Sequence, residues 1–214
     1  GCTGMTPAEW LARTARLRPE APALLTGTRI EADYRGFAAQ AAAIGTGLAR
    51  RRGIAPGDRV AIFMRNRWEY LVALYAAWWA GAAVVPINAK LHPREAAWIV
   101  ENAGAALAVA SGREADGLAD AAPGLAVIDP DGEDWTDLLA TPPARDPVSM
   151  APGDMAWLFY TSGTTGRPKG VMITAANLAA MTFCYFVDVD VVEPGDAALY
   201  AAPMSHGAGL YNFM

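Results

Sequence analysis

The chain has 214 residues, 53% hydrophobic and 18% charged, enough apolar material to bury a sizeable core as one large domain or two small ones. Its formal charge of -5 arises from 17 basic and 22 acidic residues without any basic run, which excludes the phosphate-tracking stripe of a nucleic-acid binder. Two cysteines, Cys2 and Cys184, cannot build a disulfide framework or a multi-cysteine metal site, so a reducing, cytoplasmic setting is expected.

No basic segment followed by an apolar run opens the chain, so no signal peptide is expected. The first helix is announced by Thr6-Pro7-Ala8-Glu9: Thr6 can cap, Pro7 suits the first helical position and Glu9 can reach back to the cap. It should end before Pro19. Leu24–Thr26 and Arg29–Glu31 flank Gly27-Thr28 as a short hairpin, and Tyr34–Arg52 is alanine-rich and helical up to Gly53. After the Pro56-Gly57-Asp58 turn, strands and helices alternate. The expected order is strand Arg59–Met64, helix Trp68–Ala80, strand Ala83–Ile87, helix Pro93–Asn102 and strand Leu107–Ala110. That alternation predicts an α/β fold with parallel-rich sheets flanked by helices.

The uninterrupted apolar run Leu71–Ile87 approaches the length needed to cross a bilayer. Gly81 and Pro86 favour instead a buried helix followed by a buried strand. Residues 111–153 are richer in Gly, Pro and Asp and read as a connecting region, with a short strand at Ala126–Ile128 and a helical turn at Trp135–Ala140. This divides the chain into a first α/β subdomain (1–110), the connection (111–153) and the start of a second α/β subdomain (154–214). The second begins with strand Met155–Tyr160, a glycine loop and strand Val171–Ile173. Helix Ala175–Phe186, capped by Thr174, strand Ala197–Ala202 and a helix starting near Gly209 complete it.

The loop between those first two strands holds three glycines (Gly163, Gly166, Gly170), four hydroxyls (Thr161, Ser162, Thr164, Thr165) and Lys169. Glycines let backbone N–H groups approach a ligand, hydroxyls add short donors and the lysine adds charge, which together suit a polyphosphate. Pro168 would stiffen the exit. Gly163 and Gly166 are three apart and Lys169 precedes Gly170, so the spacing departs from G-x-x-x-x-G-K-[ST]. Another glycine pair, Gly45-Thr46-Gly47, lies inside a predicted helix with Arg50 at the third glycine position, which rules out a dinucleotide fingerprint.

The segment Tyr160-Thr161-Ser162-Gly163-Thr164-Thr165-Gly166-Arg167-Pro168-Lys169-Gly170 closely resembles the phosphate-binding signature of the adenylate-forming superfamily: acyl-CoA synthetases, luciferases and peptide-synthetase adenylation domains. Ala80–Asn88 and Pro203–Gly209 agree in order and spacing, so the resemblance spans roughly Arg59 onward and, more weakly, the N-terminal helices. Asn88 stands where peptide-synthetase modules usually carry Asp, which favours an acyl-CoA synthetase. The resemblance implies part of the large N-terminal domain of that fold. It also implies attack of a carboxylate on the ATP α-phosphate, then acyl transfer to the thiol of coenzyme A, in a setting such as fatty acid metabolism.

By position, Thr161 would approach Mg²⁺ as well as phosphate. Ser162, Gly163, Thr164, Thr165, Gly166 and Lys169 would hold the β- and γ-phosphates, and His206 would sit near the carboxylate and the reacting phosphate. A bland reading of His206, a backbone-bonding histidine at a strand end, yields to the family match. His92 reads as a solvated helix-start residue. Two positions depart from the pattern: Ala175 replaces a common histidine, and Ser205 replaces the aromatic residue that often precedes the motif histidine. The adenine-binding segment, Thr-x-Glu metal ligand, ribose-binding Asp and C-terminal catalytic lysine implied by the resemblance fall outside the chain. The isolated chain is therefore expected to be inactive, to expose apolar surface and to be open to homo-oligomer formation.

Two competing readings stand beside this one. The chain could bind phosphate without catalysis. Alternatively Met204-Ser205-His206-Gly207 could form a hydrolase elbow on Ser205, although Pro203 occupies its first glycine and no second histidine follows as base. The glycine loop is expected to be the most mobile functional segment without nucleotide.

Overall fold

The computed structural model describes residues 6–161, 166–189 and 191–207. Helix α1 (Pro7–Leu17) opens with the predicted capping box, Glu9 N–H donating to Thr6 Oγ1 at 3.4 Å and Thr6 N–H to Glu9 Oε2 at 2.8 Å. Strands β1 (Pro22–Thr26) and β2 (Arg29–Asp33) form a separate antiparallel hairpin. Asp33 then caps α2 (Tyr34–Arg52) through Gly36 N–H at 2.7 Å, and Gly53 ends it in the left-handed conformation.

The remaining strands are β3 (Arg59–Phe63), β4 (Ala83–Pro86), β5 (Leu107–Ala110), β6 (Ala126–Ile128), β7 (Met155–Thr161) and β8 (Lys169–Thr174). They join in one six-stranded sheet of order β6-β5-β3-β4-β7-β8, parallel throughout except for the antiparallel β7–β8 pair. Helices α3 (Trp68–Trp79), α4 (Pro93–Ala103), α5 (Gly112–Ala121), α6 (Glu133–Leu139) and α7 (Ala175–Asp188) complete the order. The α/β class and the mostly parallel sheet are those the alternation predicted.

Alternate residues of each strand serve opposite faces. Val60 and Ile62 of β3, with Leu107 and Val109 of β5, pack in a core shared with Ile44 and Leu48 of α2, Leu74 and Trp78 of α3 and Leu138 of α6. Ala61 and Phe63, with Ala108 and Ala110, face the second core, built on Ile99 and Val100 of α4 and Leu118 of α5. Burial on both faces explains why these strands read as continuous apolar runs.

The apolar run at 71–87 is α3 and β4, both buried, and among the described residues no helix is long and apolar enough to cross a membrane. The Gly45-Thr46-Gly47 pair is a packing device. A Cβ on Gly45 would lie 2.6 Å from Ala76 O and 2.8 Å from Trp79 Cβ, so the absent side chains let α2 press onto α3.

Two expectations need correction. Residues 112–121, read as connection, form α5: its small residues suit a tight seat, since a Cβ on Gly117 would meet Pro93 Cγ at 2.5 Å, while Leu118 is fully buried. Residues 197–202 form no strand, because a strand exists only by laddering with a neighbour. Two of the carbonyls in this segment are instead bonded to a side chain, described below. The helix expected near Gly209 lies outside the described residues. Segment 111–153 carries α5, β6 and α6, and β7 beyond it pairs with β4 before it. Apolar side chains are exposed along β8 and α7, with Met172 69% and Val187 80% accessible.

Candidate active site at the carboxyl edge of the sheet

From β3 the chain passes to β4 on one side, then crosses to β5 on the other. In open α/β sheets such a switch point opens a crevice at the carboxyl ends of the strands, and ligands bind there. Three candidate segments leave the sheet along this edge: Asn66 three residues past β3, Asn88 two past β4, and Thr161 at the end of β7. With β4 between β3 and β7 and strands ~4.8 Å apart, the outer two lie ~10 Å from each other, a span suited to a small substrate and a phosphate chain.

The β7–β8 pairing places Thr161 opposite Lys169 on the last rung of the ladder. Opposed residues of an antiparallel pair share a face, so the Thr161 hydroxyl and the Lys169 ammonium flank the mouth of the loop together. Both are exposed, and among the described residues Lys169 has no ion-pair partner. Gly166 takes φ 141°, open to glycine and strained for other residues. Ser162, Gly163, Thr164 and Thr165 lie outside the described residues.

The stems of the loop rest on α4, a contact that sequence reasoning missed. Tyr160 Oη donates to Asn102 Oδ1 at 2.7 Å, and its ring meets Trp98 edge-on at 6.3 Å between centroids. The Arg167 guanidinium lies 5.6 Å from the Trp98 ring centroid. Gly170 stands opposite Tyr160, and a Cβ there would come within 3.2 Å of Tyr160 Cζ, so this glycine makes room for the anchoring ring rather than for a ligand. Partial burial raises the Tyr160 pKa, in keeping with a phenol that donates to Asn102. The only trace in the sequence is the four-residue spacing of Trp98 and Asn102, which puts both on one side of a helix without saying what they meet.

His206 is exposed at the end of a turn closed by its own N–H donating to Pro203 O at 3.0 Å, while Met204 and Ser205 are buried. It follows an irregular segment rather than the expected strand. Asn66 ties that segment down: its Nδ2 donates to Ala202 O at 2.8 Å and Tyr200 O at 3.3 Å, and its Oδ1 accepts from Met204 N–H at 2.7 Å. Sequence reasoning passed over Asn66 as well. His92 caps α4, accepting Arg94 N–H on Nδ1 at 3.2 Å, the helix-start role expected of it.

A hydrolase elbow would hold its serine on a strained turn, exposed to substrate. Ser205 is instead 5% exposed, and no non-glycine residue among those described takes positive φ. An open cavity of about 680 Å³ between α4 and the α5–β6 connection is lined by Arg94, Trp98, Glu101 and Leu125. Thr161, Lys169 and His206, the candidate residues, do not line it. Among the described residues no three His, Cys, Asp or Glu side chains converge as a metal site.

A family model described as AMP-binding enzyme matches residues 11–214. Feruloyl-CoA synthase from Amycolatopsis is 36% identical over 201 residues, covering 94% of this chain and 40% of that protein. The inhibitor-bound N-terminal domain of FACL13 from Mycobacterium tuberculosis superposes with a TM-score of 0.86 at 29% identity, over 98% of this chain and 54% of that one. The o-succinylbenzoate-CoA synthetase of Bacillus subtilis, in complex with its acyl-adenylate intermediate, gives 0.83 at 26% identity, over 98% and 52%. The chain thus spans 40% of the length of the first of these relatives and about half of each solved chain.

Proposed function

Since the chain belongs to the AMP-binding enzyme family, and its relatives include several acyl-CoA ligases beside peptide synthetases, we propose that its protein activates a carboxylic acid as an acyl adenylate and passes the acyl group to coenzyme A. The observation that supports this reading best is the Thr161–Lys169 rung, which holds a hydroxyl and an exposed ammonium at the carboxyl edge of the sheet, on the two ends of a glycine and hydroxyl loop.

The chemistry brings two anions together, the carboxylate and the ATP phosphates. Charge on the β- and γ-phosphates must therefore be neutralised before attack at the α-phosphate. Lys169 supplies that charge, with Ser162, Thr164 and Thr165 as donors and Gly163 and Gly166 allowing close backbone approach. Mg²⁺ would reach this stretch through the Thr161 hydroxyl and be held chiefly by phosphate oxygens and water, as its chemistry prefers. Bound there, it would screen the departing pyrophosphate. His206, exposed past the β3 end, donates to the carboxylate or to the phosphate it attacks.

In the reaction as balanced, a carboxylate oxygen bonds the α-phosphorus, the α–β bridging oxygen leaves with pyrophosphate, and the coenzyme A sulfur then displaces AMP from the acyl carbon. The cytoplasmic setting, and self-association through the apolar surface of β8 and α7, belong to the same proposal. Light scattering over a concentration series checks the latter.

Exchange of labelled pyrophosphate into ATP by the full-length protein, across a panel of carboxylic acids, tests the reaction. One or a few acids should support exchange, and Lys169→Ala should reduce it about a hundredfold, as for loss of one aimed donor. Exchange undiminished in Lys169→Ala would overturn the assignment of the loop.

A further inference from the structure

We propose that Asn66 is a positioning residue that holds the His206 segment over the switch-point crevice. This rests on the role given to His206 above. One carboxamide engages three backbone groups at 200, 202 and 204, every second residue of an irregular segment that bends at Ala202. That is the pattern a neighbouring strand would use. The side chain thus takes the place that a neighbouring strand would have, and fixes the segment at its end.

The amide orientation is set by its partners. The two carbonyls require the NH₂ end and the Met204 N–H requires the oxygen; a flipped amide would oppose like with like at all three contacts. The backbone beneath Asn66 is itself tied on both sides. Arg65 Nε donates to Glu114 of α5 at 2.9 Å. Arg67 forks between Glu69 of α3 and Asp131, each at 2.8 Å. Three consecutive residues therefore fix the β3 exit to α5, to α3 and to the segment that carries His206. A group that must meet a reacting phosphate within a fraction of an ångström needs such support.

Asn66 is exposed, so its substitution removes hydrogen bonds but no core packing, and the variants should fold with only a small loss of Tm. Two measurements decide the proposal. Amide hydrogen exchange of the chain should show the Met204 amide exchanging at least about tenfold faster in Asn66→Ala. Asn66→Asp, which keeps the acceptor and loses the donors, should be intermediate. Unchanged exchange in both variants would overturn the clamp.

In the full-length protein, pyrophosphate exchange by Asn66→Ala should lose about tenfold in kcat/KM for the acid with KM for ATP unmoved. The Asn66→Ala/His206→Ala double variant should be no slower than His206→Ala alone. Losses that multiply would show Asn66 acting independently of His206 and overturn the proposal. Should His206→Ala leave exchange intact, the catalytic role of His206 falls and this inference with it, whereas Lys169→Ala still judges the loop separately.

Discussion

The Tyr160 phenol and the Asn102 carboxamide, 58 residues apart in sequence, meet at 2.7 Å and fasten the entry of the glycine loop to α4. Arg167 over Trp98 fastens its exit to the same helix, so one face of α4 holds both stems. Tyr160→Phe removes the hydrogen bond and leaves the ring packing. It should cost about 1 kcal/mol of stability and speed amide exchange at residues 161–169. Asn102→Ala should match it, and the double variant should add little, since both remove one bond. Exchange confined to α4 would show that the contact does not restrain the loop.

Gly45 and Gly47, two residues apart on α2, face different neighbours, α3 and the end of α6. At Gly45 a new Cβ meets the carbonyl oxygen of Ala76, backbone that cannot swing away. At Gly47 it meets Leu138 Cδ2 at 2.7 Å and Thr141 Oγ1 at 2.8 Å, the ends of side chains that can turn. Gly45→Ala should therefore destabilise by about 1–3 kcal/mol despite the better helix former. Gly47→Ala should fall within about 1 kcal/mol of wild type, its crowding offset by propensity. Urea melts with an unchanged m-value would check both.

Much of this fold was legible because its signals are local. Thr6 with Glu9, Gly53 after the alanine-rich run, and the continuous apolar runs around Val60 and Val84 each carry their own boundary. The failures occurred where long-range geometry decides. Gly112–Ala121 has the composition of a loop and becomes helical by seating Gly117 against Pro93. Ala197–Ala202 has the composition of a strand and forms none, two of its carbonyls being taken by Asn66. The candidate site divides the same way. Thr161, Lys169 and His206 belong to contiguous motifs, whereas Asn66, Trp98 and Asn102 act only on residues far along the chain, and a single sequence holds no record of such pairs.

Trp78 ties the helix layer to the sheet beside the loop. Its indole N–H donates to Ala156 O of β7 at 2.8 Å, and its ring packs edge-on against Tyr75. Trp78→Phe deletes the donor, leaves that carbonyl buried without this partner and opens a void one ring in size. A loss of about 2–4 kcal/mol is expected in chemical denaturation. A loss below about 1 kcal/mol would mean that β7 is held by its strand neighbours alone.

Tyr70 is fully buried on α3, and its hydroxyl has no hydrogen-bond partner among the described residues. Desolvation of that phenol raises its pKa well above the usual tyrosine range, and burial does the same to Tyr75 and Tyr200. The sign follows from linkage: the folded state binds these protons more tightly than the unfolded one. Their contribution is complete below about pH 10, the unfolded value, and is lost as pH rises toward the folded value. Stability should therefore be flat with respect to these groups at neutral pH and fall steeply above about pH 10. Tyr70→Phe removes both the unsatisfied oxygen and one of the titrating groups. Its stability at pH 7 should equal or exceed that of the wild type, by about 1 kcal/mol at most, and its decline above pH 10 should be shallower. A lower Tm at pH 7 with an unchanged alkaline slope would mean that the hydroxyl makes a bond inside the core and never titrates with unfolding.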